Sequence, residues 1–169
     1  MSKAVLISIK PKWCEKIING EKTIEVRKTR PKMNTPFKCY IYCTLPKYPH
    51  EDFIATNYPM PQFYGGGKVI GEFTCERIAL IAYDGGELSS TTNAAFSPAT
   101  CLTQSEIIAY IGDKGRCYGW HMSNLRIYDT PRELSEFTGL RNTRFGAAPY
   151  DIKRPPQSWC YVEEEVRDE

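Results

Sequence analysis

Apolar and polar positions change their period twice within the first thirty residues. From Ala4 to Ile9 the run AVLISI is almost wholly apolar, the pattern of a strand buried on both faces. Pro11 follows where its missing N–H costs a helix nothing, and Trp13, Cys14, Ile17 and Ile18 supply the apolar stripe of that helix. Asn19-Gly20 ends it, because either residue accepts a left-handed backbone. The pattern then alternates: Thr23, Glu25 and Arg27 face one way, Ile24 and Val26 the other. This predicts a strand with one chemical face and one structural face.

Farther along, Phe37 to Thr44 alternates as a strand, with Phe37, Cys39, Ile41 and Cys43 on one side and Tyr40 and Tyr42 on the other. Residues 45–67, rich in Pro, Tyr and Gly, have no clear period and read as a long loop or insertion. Lys68 to Ala82 returns to strand character, with Gly71 as a bulge or point of close backbone approach. After a polar connection over 84–100, Thr103 and Glu106 form a capping box for a helix over Gln104 to Ile111, which Gly112 terminates. Cys117 to Tyr128 predicts a strand pair or one bulged strand. Pro131, capped by Asp129 or Thr130, opens a short helix to about Phe137. An irregular segment leads to a last strand over Gln157 to Val162, and the acidic end 163–169 reads as a solvated or disordered tail. Roughly five or six strands and two or three helices without a repeating strand-helix rhythm point to an α+β fold built on a mixed, curved sheet or small barrel.

Composition narrows the classes. The 169 residues suit one domain, with 1–162 as its body. No apolar run approaches a membrane span and the Met-Ser-Lys start has no signal-peptide core, so a cytoplasmic protein without membrane contact is expected. Seven cysteines, an odd number lying partly inside apolar strands, read as reduced core thiols. Cys14 and Cys160 have no sequence-local base and are poor nucleophiles. No C-x-x-C occurs and His50 and His121 are not spaced as ligands, so neither a metal nor a cofactor is expected. Net charge is +2, yet residues 1–32 carry nine Lys or Arg against three Glu. Such a local excess attracts phosphate groups.

The chemistry concentrates where the first helix ends. Gly20, Lys22, Glu25 and Arg27 form G-x-K-x-x-E-x-R. Lys22 offers a mobile charge and Arg27 a planar fork, Glu25 can accept from a base or amine, and Lys28 and Arg30 extend the basic stretch toward phosphate. If hydrolysis occurs there, Lys22 with a pKa lowered in a cleft serves as base or nucleophile and Glu25 positions water or shuttles a proton. Trp13, Trp120, Trp159 and Tyr161 are candidate stacking surfaces for a base. Gly65-Gly66-Gly67-Lys68 lacks the spacing of a phosphate loop and precedes a strand.

The G-x-K-x-x-E-x-R segment with its preceding SIKPKWCEKIINGEK resembles the ASCH domain family, a branch of the PUA-like superfamily. The stretches GEFTCERI, GWHMSNLRIYD and RPPQSWCYV are similar to those of longer, often phage- or prophage-associated members. The resemblance implies a small, mostly antiparallel β-barrel flanked by helices, with a cleft lined by the signature. It also implies RNA or nucleotide recognition in the cleft of Gly20, Lys22, Glu25 and Arg27, to which the basic stretch adds Lys28 and Arg30, and the aromatics Trp120 and Trp159, as ligand-binding candidates. One branch removes the acyl group from N4-acetylcytidine with a Lys, a Thr and a distant Glu. Lys22 matches the lysine, Glu25 stands at the threonine position, and the distant carboxylate is one of Glu72, Glu76 and Glu106. Three readings follow: an RNA or nucleotide binder, an amidohydrolase on N4-acylated cytidine-type nucleosides using Lys22 and Glu25, or a phage accessory protein whose 45–67 loop meets another protein.

Overall fold

The computed structural model describes residues 2–45, 53–55, 62–64 and 66–166. Its strands are β1 (Lys3–Ile9), β2 (Ile24–Arg27), β3 (Phe37–Cys43), β4 (Phe53–Ala55), β5 (Gln62–Tyr64), β6 (Lys68–Asp84), β7 (Glu87–Ser90), β8 (Arg116–Arg132), β9 (Thr138–Thr143), β10 (Gly146–Asp151) and β11 (Trp159–Glu163). Two α-helices accompany them, α1 (Pro11–Ile18) and α2 (Gln104–Ile111). The main sheet runs β10-β9-β11-β1-β3-β6-β8-β2, with β7 paired to β6. β1 and β3 are parallel; the other ladders are antiparallel. The fold is thus α+β, as the sequence pattern predicts, but the sheet is mixed and open. β10 and β2 end it without pairing to each other, which corrects the expected closed barrel.

Curvature comes from the two 17-residue strands. The β6–β8 ladder shifts register at three places, and each extra residue bends the pair. Gly71 lies at one of them, where a Cβ would stand 2.5 Å from the Arg126 carbonyl oxygen, so the close-approach reading of this glycine holds. The ladder also carries β8 beyond Pro131, since Arg132 still pairs with Val69. The expected helix from Pro131 is therefore absent. A 3-10 turn over Leu134–Glu136 replaces it, capped by Glu133.

The core has three parts that follow the strand alternation. Val5, Ile7 and Ile9 of β1 meet the α1 stripe (Cys14, Ile17, Ile18), the odd-numbered face of β3 and Trp120. Ala4 and Leu6 pack with Tyr40, Tyr42, Tyr128 and Val162 on the opposite face, so β1 is covered on both sides as its unbroken apolar run requires. Ile24 and Val26 form the third part with Ile81, Ala94, Ile107 and Ile111. All seven cysteines are free thiols. Burial pushes the Cys14 thiol up, and that of Cys75 to about 12.

Other departures lie in the connections. Residues 84–100 contain β7 and two 3-10 turns. The segment before the last strand is the β9–β10 hairpin. Most of the 45–67 insertion lies outside the described residues; its described pieces, β4 and β5, pair with each other. Tail residues through Glu165 are docked: Glu164 N–H donates to the Ser2 carbonyl at 2.9 Å, and Arg132 holds Glu165 through two 2.6 Å contacts. No described helix is long and apolar enough to cross a membrane.

Trp120 is 0% exposed and touches Phe37 and Trp159 edge-on. It is a core residue with no face open for a base to stack on. Trp120→Ala is expected to destabilise the protein by about 3–5 kcal/mol in urea unfolding. A loss below about 1 kcal/mol would place the ring outside the core.

Candidate functional site

Lys22 reaches its position because α1 stops abruptly. Gly20 takes φ +79°, Lys22 N–H returns to the Lys16 carbonyl at 3.0 Å, and the side chain turns inward. Gly20 itself is exposed and outside the cleft lining; its contribution is the left-handed turn. Lys22 is only 2% exposed. Its ammonium donates to the Thr100 carbonyl at 2.6 Å and sits 5.0 Å from the Trp13 ring centroid. Burial lowers its pKa, and Glu25 partly opposes that shift. An ammonium has three donors, so a single carbonyl leaves hydrogen-bonding capacity for a ligand.

Glu25 and Arg27 project from the chemical face of β2, as alternation predicts. Glu25 Oε1 accepts from the Val26 N–H at 3.2 Å and lies 3.5 Å from Arg27 Nε. Oε2 is buried and has no hydrogen-bond partner among the described residues. Arg27 is committed elsewhere: Nη2 donates to the Ser8 carbonyl at 2.7 Å, and Nη1 to the Ser158 carbonyl and hydroxyl at 3.3 and 3.2 Å. Three strands separate β2 from β1 in the sheet, roughly 19 Å if it lay flat at about 4.8 Å per strand. The sheet therefore curls, and Arg27 bridges the place where its edge returns toward β1.

These residues line a cavity of about 570 Å³. Trp13 and Tyr110 contribute rings, Leu102 and Val26 apolar surface, and Ser8, Thr44 and Gln157 polar groups. Leu102, Thr44, Tyr110 and the Thr100 carbonyl were not singled out by the sequence pattern. They come from segments distant in the chain and carry no local motif. Of the three possible distant carboxylates only Glu106 lines this cavity, and its Oε1 already accepts from Thr103 N–H in the capping box. Glu72 bonds Tyr128 on the opposite side of the sheet, and Glu76 is exposed.

The remaining predicted residues separate. Lys28 and Arg30 are exposed and line a different, open groove of about 720 Å³ with Lys32, Lys114, Arg116 and Tyr118. Trp159 is half-buried and donates its indole N–H to Thr29 Oγ1 at 3.0 Å, outside the cavity. Tyr161 accepts from Lys32 N–H. The Trp13 ring already carries the Lys12 and Lys22 ammoniums, 4.4 and 5.0 Å from its centroid. Lys68 pairs with Glu133, so it is not a free phosphate contact. His121 bonds Thr92 Oγ1 at 2.9 Å, and burial lowers its pKa. Among the described residues no group of three or more His, Cys, Asp or Glu could hold a metal ion.

No family model matches the sequence, and neither does any curated protein. Solved structures do match. The crystal structure of ASCH from Zymomonas mobilis aligns over 95% of this chain and 88% of its own, with 16% identity and a TM-score of 0.53. A serine-to-alanine variant of that protein aligns at TM-score 0.60 with 17% identity, over 95% and 89% of the two chains. Its tyrosine-to-phenylalanine variant gives 0.54 and 16%, over 96% and 92%. The chain has the fold of these ASCH structures.

Two substitutions test the assignment of roles. Arg27→Lys keeps the charge but loses the fork that spans Ser8 and Ser158, and is expected to destabilise by about 1.5–3 kcal/mol in urea unfolding. Lys22→Met relieves an ammonium held out of water and is expected to stabilise by about 1 kcal/mol, a rise of roughly 2–4 °C in Tm. Because the folded pKa of Lys22 lies below its unfolded value, the unfolded chain binds more protons between the two. Wild-type stability from this group therefore rises as pH climbs through that window, and the advantage of Lys22→Met shrinks there. Thermal melts from pH 7 to 10 check the sign.

Proposed function

We propose that this ASCH-fold protein binds a nucleotide or a nucleotide unit of RNA in the cavity carrying Lys22 and Glu25. The observation that supports this is an unmatched pair inside one cavity: a buried lysine with donors to spare and a buried carboxylate oxygen with no hydrogen-bond partner among the described residues. A buried polar group left unpaired is unfavourable, so its retention points to a ligand that completes it. Nucleobases present neighbouring acceptors and N–H donors along one edge, which fits Lys22 as donor and Glu25 Oε2 as acceptor. The volume lies within the range of about 300–1,000 Å³ usual for small-ligand sites. Arg27 has a positioning role in this reading: it holds Glu25 Oε1, which leaves Oε2 for the ligand.

A second reading has its own support. Burial lowers the Lys22 pKa, so the neutral amine is more accessible than in a solvated lysine, and Thr44 brings a hydroxyl to the same cavity although position 25 holds Glu. Hydrolysis of an N4-acylcytidine would add water to the acyl carbon, break the C–N4 bond, release a carboxylic acid and return a proton to the amine. Lys22 would accept the proton from water.

Calorimetric titration with a panel of nucleosides and nucleoside monophosphates tests the first reading. Saturable binding is expected, weakened at least tenfold, about 1.4 kcal/mol, by Lys22→Ala or Glu25→Gln. No binding across the panel, or binding indifferent to both substitutions, would defeat it. Incubation with N4-acylated cytidines, followed by mass-detected chromatography, tests the second; turnover absent from wild type removes it.

A further inference from the structure

The open groove beside the cavity is one-sided in its charge. Lys28, Arg30, Lys32, Lys114 and Arg116 line it, and no carboxylate does. None of the five forms an ion pair among the described residues, and three other cavities all carry carboxylates beside their cations: Glu25 and Glu106 in the Lys22 cavity, Glu164 beside Lys3 and Lys38, and Glu133 and Asp151 beside Lys153.

Strand register explains why the five meet. Arg27 pairs with Tyr118, so the chain leaving β2 runs past the start of β8, and Gly115, at φ +74°, turns Lys114 and Arg116 toward the same opening. The groove also borders the cavity. Lys28 lines the groove and holds its ammonium 5.1 Å from the ring centroid of Tyr110, and Tyr110 lines the cavity. Like charges held side by side on an exposed face repel one another, and a ligand carrying regularly spaced anions relieves that repulsion.

We propose that the groove is a track for the phosphodiester backbone of a single strand, so that the ligand of the adjoining cavity is a residue within an oligonucleotide and not a free nucleoside. This deepens the nucleotide reading above and rests on it. A single strand suits the cavity because its base is available without the cost of flipping it out of a duplex. Phosphates of the neighbouring residues then lie along Lys28, Arg30, Lys32, Lys114 and Arg116. RNA and DNA share that backbone, and the groove residues read charge and not sequence.

The test is fluorescence anisotropy with labelled single-stranded 12-mers of RNA and of DNA between 50 and 200 mM KCl. Three proteins are compared: wild type, Lys114→Glu/Arg116→Glu, and Arg141→Glu/Arg144→Glu, which makes the same charge change on the β9–β10 hairpin at the other end of the sheet. All four substituted residues are exposed, and matching circular dichroism and Tm confirm folding. Five phosphate contacts, at about 0.7 each in the salt slope, predict a roughly 100-fold fall in wild-type affinity across that salt range. The groove variant is expected to bind at least tenfold more weakly at 50 mM KCl with a slope shallower by about 1.4, the hairpin variant to bind within threefold of wild type, and nucleoside monophosphate binding to stay unchanged in both. Equal 12-mer affinity in wild type and groove variant overturns the proposal, as does equal loss in the two variants. Preference for RNA or DNA identifies the source of the backbone and supports the track either way. A 12-mer bound through the groove but indifferent to Lys22→Ala would sink the cavity reading while leaving the groove as a binding surface.

Discussion

The guanidinium of Arg27 joins parts of the sheet that its strand order keeps apart. β2 stands at one end of the main sheet and β1 lies four places away, yet Arg27 donates to the Ser8 carbonyl of β1 and to Ser158 just before β11. Because β11 and β3 already occupy both edges of β1, no backbone ladder can join β2 to it; one largely buried side chain makes the junction instead. That substitution leaves a gap between β2 and β1, and the gap is the cavity.

The same economy explains why the site carries an internal conflict. Lys22 is taken out of water for one carbonyl and one ring face, and Glu25 keeps an oxygen with no hydrogen-bond partner among the described residues. Neither arrangement favours folding of the empty protein, since desolvated polar groups with incomplete partners are unfavourable by about 1–3 kcal/mol each. The surrounding core tolerates them because Ile24 and Val26, alternating with Glu25 on the same strand, are anchored in a separate apolar cluster with α2. One face of β2 stabilises what the other face strains.

Much of this was legible in the chain, for reasons that differ by element. The α1 stripe, the Gly20 stop and the Thr103–Glu106 capping box are local signals, and each stands where the pattern puts it. Alternation placed Glu25 and Arg27 on one face without any tertiary information. The β9–β10 hairpin escaped notice because Thr-Gly-Leu-Arg-Asn-Thr and Gly-Ala-Ala-Pro-Tyr-Asp have weak strand propensity, and their pairing is favoured by each other's proximity more than by composition. Pro131 reads locally as a helix start, but the β6 ladder overrides it near the end of β8, where a missing donor is tolerable. Trp120 shows the limit of residue type as a guide. A tryptophan suits a stacking platform and a core equally well, and only the packing of α1, β3 and β8 decides between them.

What no single-residue reading could separate is the division of labour among the neighbouring cations of one short segment. Arg27 and Lys28 are adjacent, so the strand sends them in different directions: Arg27 inward, where three directed contacts require a planar fork, and Lys28 outward over Tyr110, where a point charge suffices. Arg30, past the end of β2, bonds only to carbonyls of its own loop, those of Pro31 and Met33. The basic excess of the first thirty-two residues is therefore not one patch with one purpose. Part of it is consumed in holding the curled sheet, and the remainder gains its meaning only when β8 brings Lys114 and Arg116 alongside. A charge count over the sequence cannot distinguish these two fates, because the distinction lies in which carbonyls and carboxylates the fold places within reach.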